Sequence, residues 1–460
     1  MKIPRILLAA GSSGSGKTLL ACGIMQALKN KGLKVASFKC GPDYIDPMFH
    51  EQVIGTKSAN LDTFLSSRAC VNYLLRENAK DSDISIIEGV MGYYDGIGGV
   101  STKASAYDVA DATDTPVILL VNAKGMSLSV FAQIKGFMEF QQNSHIAGVI
   151  FNEMSPGIYP EMKKAAEQFH VNVLGYVPTI KDCVLESRHL GLIMPGELPM
   201  LQENLQKLAQ TLEKTLDLDG IVRLADSARK IEETEAFLEE DPAFSYRLPE
   251  KVKIGVAKDE AFCFFYKDNF RLLKRMGAEL VFFSPLHDEK LPDGLDGLLL
   301  YGGYPELYAK QLSENESMRN VIRTALENGL PCMAECGGFM YLHQEMEDME
   351  GVSWPVAGVI DGKAFRTEHL VRFGYVLLEE TKEKECGVIP AHEFHYFDST
   401  ANGTDFLARK ASGKRSWECM HKENGLLAGF PHLYYFGNPK VPRRFLMQCE
   451  AYKKEREETE

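Results

Sequence analysis

The chain has 460 residues, a length for which two large domains are the expected arrangement. Hydrophobic residues make up 45% of it and charged residues 25%, as in an ordinary soluble globular protein. Its net charge of −13 argues against a general nucleic-acid binder and against binding to an anionic membrane surface. No apolar run approaches the roughly 20 residues that span a bilayer. The ten cysteines include no CxxC pair, so we expect a cytoplasmic protein without a disulfide framework.

The first half of the sequence alternates short apolar segments with longer amphipathic ones. The apolar segments predict buried strands with helices between most of them, which is typical of a mostly parallel sheet wrapped by helices. In chain order these segments read RILLAA, KVASFK, ISIIEGV, PVILLVNA, IAGVIFNE and NVLGYVP.

A phosphate-binding loop follows the first predicted strand. Residues 11–18 read GSSGSGKT, which satisfies G-x-x-x-x-G-K-[ST], and the helical pattern TLLACGIMQALKNKG follows. Glycines let backbone N–H groups close around phosphate oxygens, and the helix N-terminus adds a favourable dipole. The loop predicts nucleoside triphosphate binding and would suit a kinase, a partitioning ATPase or a ligase equally well. The predicted nucleotide ligands are Gly11, Gly14, Ser15, Gly16, Lys17 and Thr18.

A phosphate loop also needs acidic groups that hold a metal ion, here Mg²⁺ together with Thr18. Glu88 ends the predicted strand of ISIIEGVMGYYDG, at the edge where parallel sheets bind ligands. Asp43 and Asp46 follow another strand in KCGPDYIDPMFH. Asp62 and Asp95 are further candidates.

The pattern changes to charged, helical sequence from about residue 201 to residue 250. The strand–helix rhythm then restarts with KVKIGVAKDEAF and continues through AELVFFSPLHD, LDGLLLYGGYPE and LPCMAECGGF. We therefore predict two α/β domains joined near residues 235–250.

A candidate nucleophile, Cys336, ends the last of these apolar runs and precedes two glycines. This placement predicts a thiol exposed on a sharp turn between a strand and a helix. An oxyanion formed by its attack needs backbone N–H donors, which Gly337 and the turn at Gly303 could supply. A base must remove the thiol proton, and the sequence leaves His392, His395 and His432 as alternatives.

Several further motifs stand in order along the chain together with those above. The full set reads GSSGSGKT, KCGPDYIDPMFHE, IIEGVMGYYDG, ESRHLGL, DEAFCFFYKDN, FFSPLHDEKLPDGLDGLLLYGGYPELYA, PCMAECGGFMYL and HEFHY. Together these motifs resemble the cobyrinate a,c-diamide synthases, glutamine-dependent amidotransferases of corrinoid biosynthesis. The resemblance runs from about residue 4 to residue 450.

The resemblance implies an N-terminal P-loop domain like dethiobiotin synthetase and a C-terminal α/β domain like the class I glutamine amidotransferases. The implied boundaries are residues 1–235 for the ATP-dependent, amide-forming domain, 236–250 for a linker, 251–450 for the glutaminase domain and 451–460 for a charged tail. A homodimer is also suggested.

The implied chemistry uses ATP and Mg²⁺ to activate the c and then the a acetate of cobyrinate as acyl phosphates. Cys336, activated by His432, releases ammonia from L-glutamine, and the ammonia forms the amides. Asp43, Asp46 and Glu88 are implied to be metal-binding and substrate-side acids. The substrate carboxylates would meet cations such as Arg188, Lys103 and Arg372.

Departures from the family pattern occur at three places in the glutaminase half or its approach. Pro431 precedes His432 and Tyr434 replaces a second histidine; Tyr301 stands where a third glycine is usual; and around PAHEFHYFD the usual Arg-Gly before the histidine and Ser after the tyrosine are absent. Because of these changes, an ATP-dependent binding protein whose glutaminase half has decayed stays open as an alternative. The same chemistry on another tetrapyrrole such as nickel-sirohydrochlorin also stays open, because the choice of macrocycle rests on pocket shape.

Overall fold

The computed structural model describes residues 2–180, 198–232, 237–413 and 415–459. The chain divides into two compact units, Met1–Glu235 and Ala236–Glu460. Both are built from sheets and helices, so the predicted α/β fold class is confirmed. Within the described ranges, no helix is both long and apolar enough to cross a membrane.

The first unit contains a parallel sheet. Its strands are Arg5–Ala10 (β1), Val35–Cys40 (β2), Lys57–Leu61 (β3), Ile84–Glu88 (β4), Val117–Asn122 (β5), Ile146–Asn152 (β6) and Val173–Val177 (β7). They lie in the order β3-β2-β4-β1-β5-β6-β7. The six strands predicted from apolar runs are confirmed, whereas β3, with the polar sequence KSANL, was not predicted.

Helices pack on this sheet. They are Lys17–Asn30 (α1), Ile45–Phe49 (α2), Arg68–Ala79 (α3), Ala106–Thr113 (α4), Ser129–Glu139 (α5), Tyr159–Gln168 (α6), Leu198–Thr215 (α7) and Leu218–Asp226 (α8). A π-helical turn, His50–Ile54, follows α2, and a 3₁₀ turn covers Ile97–Gly99. The main core joins β1 to α1, α7 and α8, and Leu208 and Leu212 of α7 pack directly on Gly23 of α1. The buried β1 thereby fixes the position of the loop that follows it.

The second unit combines three sheets. Its strands are Val252–Ala257 (β8), Ala278–Phe283 (β9), Gly297–Leu300 (β10), Cys332–Glu335 (β11), His343–Glu347 (β12), Ser353–Pro355 (β13), Ile360–Arg366 (β14), Arg372–Glu380 (β15), Ile389–His395 (β16), Phe397–Ser399 (β17), Phe406–Lys410 (β18), Ser416–Cys419 (β19), His421–Glu423 (β20), Leu426–Gly429 (β21) and His432–Leu433 (β22). The largest sheet, in the order β20-β21-β11-β10-β8-β9, is parallel except for β20. The other two sheets, β13-β12-β14-β17 and β19-β18-β15-β16-β22, were not predicted.

Within the described residues, the second unit begins and ends with a helix. Its helices are Phe237–Glu240 (α9), Pro242–Ser245 (α10), Lys267–Met276 (α11), Ala309–Glu314 (α12), Glu316–Glu327 (α13), Gly337–Tyr341 (α14) and Lys440–Thr459 (α15), with a 3₁₀ turn at Pro305–Tyr308. Residues 237–245, which the sequence predicted as linker, are mostly helical and pack on this unit, because Phe244 is buried beside Phe436. The charged tail predicted over residues 451–460 continues α15 as far as Thr459.

Candidate active site

The phosphate loop connects β1 to α1 at the carboxyl edge of the first sheet. Gly14 and Gly16 have φ angles of 71° and 83°, a left-handed conformation that glycine adopts without strain. Asn152, at the end of β6, donates its amide Nδ2 to the Ser15 carbonyl at 3.1 Å. The loop is therefore held from a second strand of the sheet.

Lys17 lies folded over this loop. Its Nζ donates to the Ser12 carbonyl at 2.8 Å and to the Met91 carbonyl at 2.6 Å. Burial, followed by the charge of Lys39, lowers the pKa of Lys17. A phosphate group in the loop would offer this ammonium a charged partner in place of two neutral carbonyls.

Beside the loop, Glu88 is the centre of a buried ionic cluster. Its Oε1 accepts from Thr18 Oγ1 at 2.5 Å and from Lys39 Nζ at 2.8 Å, and its Oε2 lies 3.1 Å from His50 Nε2. Lys39 also pairs with Asp46. The structure thus brings together Thr18, Asp46 and Glu88, as predicted, and adds Lys39 and His50, which the sequence analysis missed.

The charges in this cluster compensate one another. Burial opposes ionisation of Glu88, but Lys39 and a hydrogen bond from His50 outweigh it and hold the pKa of Glu88 well below its usual range. Burial and the charge of Glu88 raise the pKa of Asp46 to about 7. Lys39 stays charged because its two carboxylate partners raise its pKa against the effect of burial.

The remaining predicted acids stabilise turns. Asp43 Oδ1 accepts the backbone N–H groups of residues 45 and 46, at 2.8 and 3.2 Å, at the start of α2. Asp62 accepts the N–H groups of residues 64 and 65, and Asp95 accepts that of residue 92. Among the residues that the structure describes, no three His, Cys, Asp or Glu side chains are grouped so as to hold a metal ion.

In the second unit, Cys336 occupies a strained turn between β11 and α14. Its φ of 49° and ψ of −108° are unusual for a residue with a side chain. Its N–H donates to the Gly429 carbonyl of β21 at 2.8 Å, which continues the parallel pairing of β11 with β21. The sharp turn is as predicted, but the expectation of exposure is wrong, since Cys336 is only 8% exposed.

The two glycines predicted to stabilise an oxyanion lie close together. A Cβ built on Gly337 would stand 3.1 Å from the backbone nitrogen of Gly303. The next residue in that turn, Tyr304, donates its N–H to the Ala261 carbonyl at 2.9 Å and so fixes the turn to the loop after β8. Two backbone nitrogens are therefore grouped beside Cys336.

Of the three candidate bases, His432 is the one that borders the space above Gly302 together with Cys336. A Cβ built on Gly302 would lie 2.7 Å from His432 Cε1 and 3.3 Å from Cys336 Cβ. His392 is its cross-strand neighbour, with ring centroids 6.0 Å apart. His395 stacks on Phe430 at 4.0 Å. Gly302 therefore leaves the space in which the thiol and the imidazole meet.

The segment that carries His432 is buried and held from both sides. Asn269 donates to the Leu433 carbonyl at 2.9 Å and accepts the N–H of Tyr435 at 2.9 Å. The departures from the family pattern fit this packing: the Tyr434 hydroxyl donates to Asp268 at 3.4 Å, and the buried Tyr301 hydroxyl lies 3.1 Å from that of Tyr435. Pro431 does not prevent the next residue from pairing with β16.

Glu335, the residue before Cys336, is a site residue that the sequence analysis missed. Its Oε2 lies 3.8 Å from His432 Nδ1 and accepts the Leu433 N–H at 3.3 Å. Its Oε1 is buried and makes no hydrogen bond to any described residue. Burial raises the pKa of Glu335 to about 8. Glu335 was overlooked because it lies 98 residues from Leu433 along the chain, so only strand pairing reveals the contact.

Cys336 and His432 are both neutral in this arrangement. Burial, followed by the charge of Glu306, raises the pKa of the Cys336 thiol, and burial with His392 lowers the pKa of His432 far below its usual value. A thiol next to a neutral imidazole can attack a carbonyl carbon only as its proton passes to that base.

The cations predicted for substrate carboxylates belong to different units of the chain. Lys103 lines a cavity of the first unit, and Arg372 of the second unit lies over the Trp417 ring at 4.6 Å. Arg188 lies outside the described residues.

Comparisons with known proteins assign both halves of the chain. Residues 6–192 match the CobQ/CobB/MinD/ParA nucleotide binding domain, and residues 253–439 match the CobB/CobQ-like glutamine amidotransferase domain. The cobyrinate a,c-diamide synthase of Caldanaerobacter subterraneus is 39% identical over 97% of this chain and 99% of its own length. Those of Thermoplasma volcanium and Priestia megaterium are 38% and 37% identical, over 99% and 98% of this chain and 100% and 98% of their own lengths.

The two domain matches fall in the first and second units, and the relatives are matched over nearly their whole length. The chain belongs to the cobyrinate a,c-diamide synthase family.

Proposed function

We propose that this protein amidates the a- and c-acetate carboxylates of cobyrinate, using ATP and ammonia released from glutamine. The observation that carries the proposal is the pairing of Cys336 and His432 at Gly302, in a chain whose other unit holds a complete phosphate loop. The division at residues 235 and 236 supports a separate unit for each half-reaction.

The first unit activates the carboxylate. The N–H groups at Gly14 and Gly16 and the ammonium of Lys17 bind the phosphates of ATP. Thr18 and Glu88 are the residues that would hold Mg²⁺, since hydroxyl and carboxylate oxygens beside a phosphate loop suit this ion. When bound, Mg²⁺ neutralises charge on the transferring phosphate. An acetate oxygen attacks the γ-phosphorus, ADP leaves, and an acyl phosphate forms.

Lys39 is a further group suited to phosphate transfer. Its ammonium stands between Glu88 and Asp46, within the cluster that adjoins Thr18. It balances two buried carboxylates that would otherwise repel an anionic substrate. His50 fixes the second oxygen of Glu88 and so orients that carboxylate toward Thr18 and Lys39.

The second unit releases ammonia. Cys336 Sγ attacks the side-chain carbonyl carbon of glutamine while its proton passes to His432. The N–H groups of Gly337 and Gly303 stabilise the oxyanion. His432 then gives the proton to the departing ammonia, and water hydrolyses the glutamyl thioester. The ammonia attacks the acyl phosphate and displaces phosphate, which forms the amide.

Glu335 is a positioning residue for His432. His432 Nδ1 lies 3.8 Å from Glu335 Oε2, and in the imidazolium that forms during attack this nitrogen carries a proton. A carboxylate there stabilises the cation and keeps the ring oriented, and catalytic hydrogen bonds are commonly long before substrate binds. Glu335 thereby supplies a carboxylate beside the imidazole of His432.

We also propose that the protein is a cytoplasmic homodimer and that it binds no nucleic acid. The net charge of −13 supports the second of these statements, because nucleic acid is itself an anion. Nickel-sirohydrochlorin remains the alternative macrocycle. The buried, well-packed His432 segment supports an active glutaminase over a decayed one.

The proposal is tested by supplying nitrogen from two sources. Purified protein is incubated with cobyrinate and Mg-ATP, with either glutamine or an ammonium salt, and the products are weighed by mass spectrometry. We expect a diamide from both sources, and with Cys336→Ala a diamide from ammonium only. A Cys336→Ala protein that still used glutamine would contradict the assigned nucleophile, and no product from either source would reject cobyrinate as substrate.

Gly302→Ala tests the space between the thiol and the imidazole. The added methyl group would stand 2.7 Å from His432 Cε1, so it must displace the ring or the turn. We expect glutamine-dependent synthesis to fall about 100-fold or more, with ammonium-dependent synthesis retained. The matched control is Gly136→Ala in α5, where a Cβ meets nothing within 4 Å. Equal glutamine-dependent rates in both variants would refute the geometry.

Glu335→Gln tests the charge next to His432. Glutamine keeps the size of the side chain and can accept the Leu433 N–H, but it cannot ionise. Because the pKa of Glu335 is raised to about 8, its carboxylate forms only as the pH rises through that value. We expect glutamine-dependent kcat in the unsubstituted protein to increase through about pH 8. The variant should lack this increase and be about tenfold slower above it.

Burial raises the pKa of Glu306 to about 7, below the value for Glu335. Because Glu306 is present in both proteins, its titration does not distinguish their pH profiles. Ammonium-dependent synthesis at a constant concentration of free ammonia is the control for each pH. Identical pH profiles for the two proteins would show that Glu335 has only a structural role.

A further inference from the structure

The first unit contains a cavity of about 460 Å³ at the carboxyl edge of β3 and β4. Its walls come from the turn after β3, the start of α3, the end of the loop after β4, and α4. This volume lies in the range of small-molecule sites, and the carboxyl edge of a parallel sheet is where such sites occur.

Asp108 of α4 ties these walls together. Its Oδ2 accepts from Thr63 Oγ1 and from the Ala104 N–H, both at 2.8 Å, and its Oδ1 pairs with Arg68 at 2.8 Å. The acid is thus engaged by donors from three separate segments. The cavity is preformed, and its one carboxylate is compensated rather than free to repel an anion.

Two cations in the cavity walls keep unused donors. Arg68 reaches Asp108 and Asp111 through Nη2, and its Nε and Nη1 make no hydrogen bond to a side chain or carbonyl in the described part of the chain. Lys103 makes no ion pair or hydrogen bond through its Nζ with any described residue. Arg68 already pairs with Asp108 and Asp111, so Lys103 is the cation that favours a ligand with carboxylates, and the spare donors of Arg68 are further hydrogen-bond partners for them.

Aromatic rings complete the lining. Phe64 and Tyr107 both border the cavity. Tyr107 is held by edge-on packing against Tyr93, with ring centroids 5.8 Å apart, and by Tyr94 at 5.3 Å. Fixed ring faces beside cations suit a ligand that is flat and apolar in its body and anionic at its periphery.

One loop links this cavity to the phosphate loop. It begins after Glu88, where the Met91 carbonyl accepts from Lys17 and the Tyr93 N–H donates to the Ala10 carbonyl at 2.9 Å. It ends at the cavity, where the Ile97 N–H donates to the Lys103 carbonyl at 2.9 Å. A ligand in the cavity therefore borders the loop that also contacts the nucleotide-binding lysine.

We propose that this cavity binds the carboxylate-bearing edge of the tetrapyrrole substrate, with Lys103 and Arg68 as partners of carboxylates that are not being amidated. The inference rests on the proposed function and names the substrate site within it. The macrocycle is larger than the cavity, so part of it stays outside, and Phe64 and Tyr107 contact its flat body.

The test compares two charge reversals in the full chain. Lys103→Glu removes a cavity cation, and Lys80→Glu makes the same change at the exposed residue that follows α3, outside the cavity lining. Calorimetry measures the Kd for cobyrinate, and ammonium-dependent assays measure KM for cobyrinate and for ATP. We expect Lys103→Glu to raise Kd and KM for cobyrinate at least about tenfold, with KM for ATP unchanged, because a charge-assisted contact is lost. Lys80→Glu should match the unsubstituted protein.

Equal cobyrinate affinity in the two variants would overturn the inference while leaving the proposed function intact. A selective increase in the KM for ATP would also overturn it, since the cavity would then hold the nucleotide. If the unsubstituted protein neither binds nor amidates cobyrinate, the proposed function fails first, and the named substrate site falls with it.

Discussion

Parallel strand pairing is the constraint on which both candidate sites depend. In the first unit, β1 lies between β4 and β5, so the phosphate loop and Glu88 emerge at one edge of the sheet. In the second unit, β11 lies between β10 and β21, which brings the Gly302 turn, Cys336 and the His432 segment to one edge. The hydrogen bond from the Cys336 N–H to the Gly429 carbonyl is the last one between β11 and β21. A slip in the register of β11 would separate the thiol from its base.

Burial sets the chemistry that these positions allow. In the first unit, opposite charges are packed together, so Glu88 stays ionised and Lys39 stays protonated at neutral pH. At Cys336 and His432 in the second unit burial dominates instead, raising the pKa of the thiol and lowering that of the imidazole, so both neutral forms are favoured. The first arrangement suits a site that binds phosphate and a metal ion. The second suits a thiol that becomes nucleophilic only as a substrate carbonyl accepts its attack, which protects the cysteine from unproductive reactions.

Local sequence patterns predicted the features that depend on local physics. Apolar runs identified six of the seven strands of the first sheet, and the phosphate loop is recognisable because its glycines, lysine and threonine lie within eight consecutive residues. The missed residues depend on distant partners: His50 meets Glu88 only after β2 and β4 pair, and Glu335 meets His432 only through β11 and β21. The two smaller sheets of the second unit also escaped prediction, because short strands such as His432–Leu433 have no periodicity of their own. The motif resemblance supplied the choice of His432, which spacing alone could not make.

The most direct test of the account is to follow the amide nitrogen of glutamine. The unsubstituted protein is given cobyrinate, Mg-ATP and glutamine labelled with ¹⁵N in the side-chain amide, and the product is weighed by mass spectrometry. The account predicts a diamide that carries two ¹⁵N atoms. A diamide without the label, or no amidated product while glutamine is consumed, would contradict the claim that the two units perform one coupled reaction.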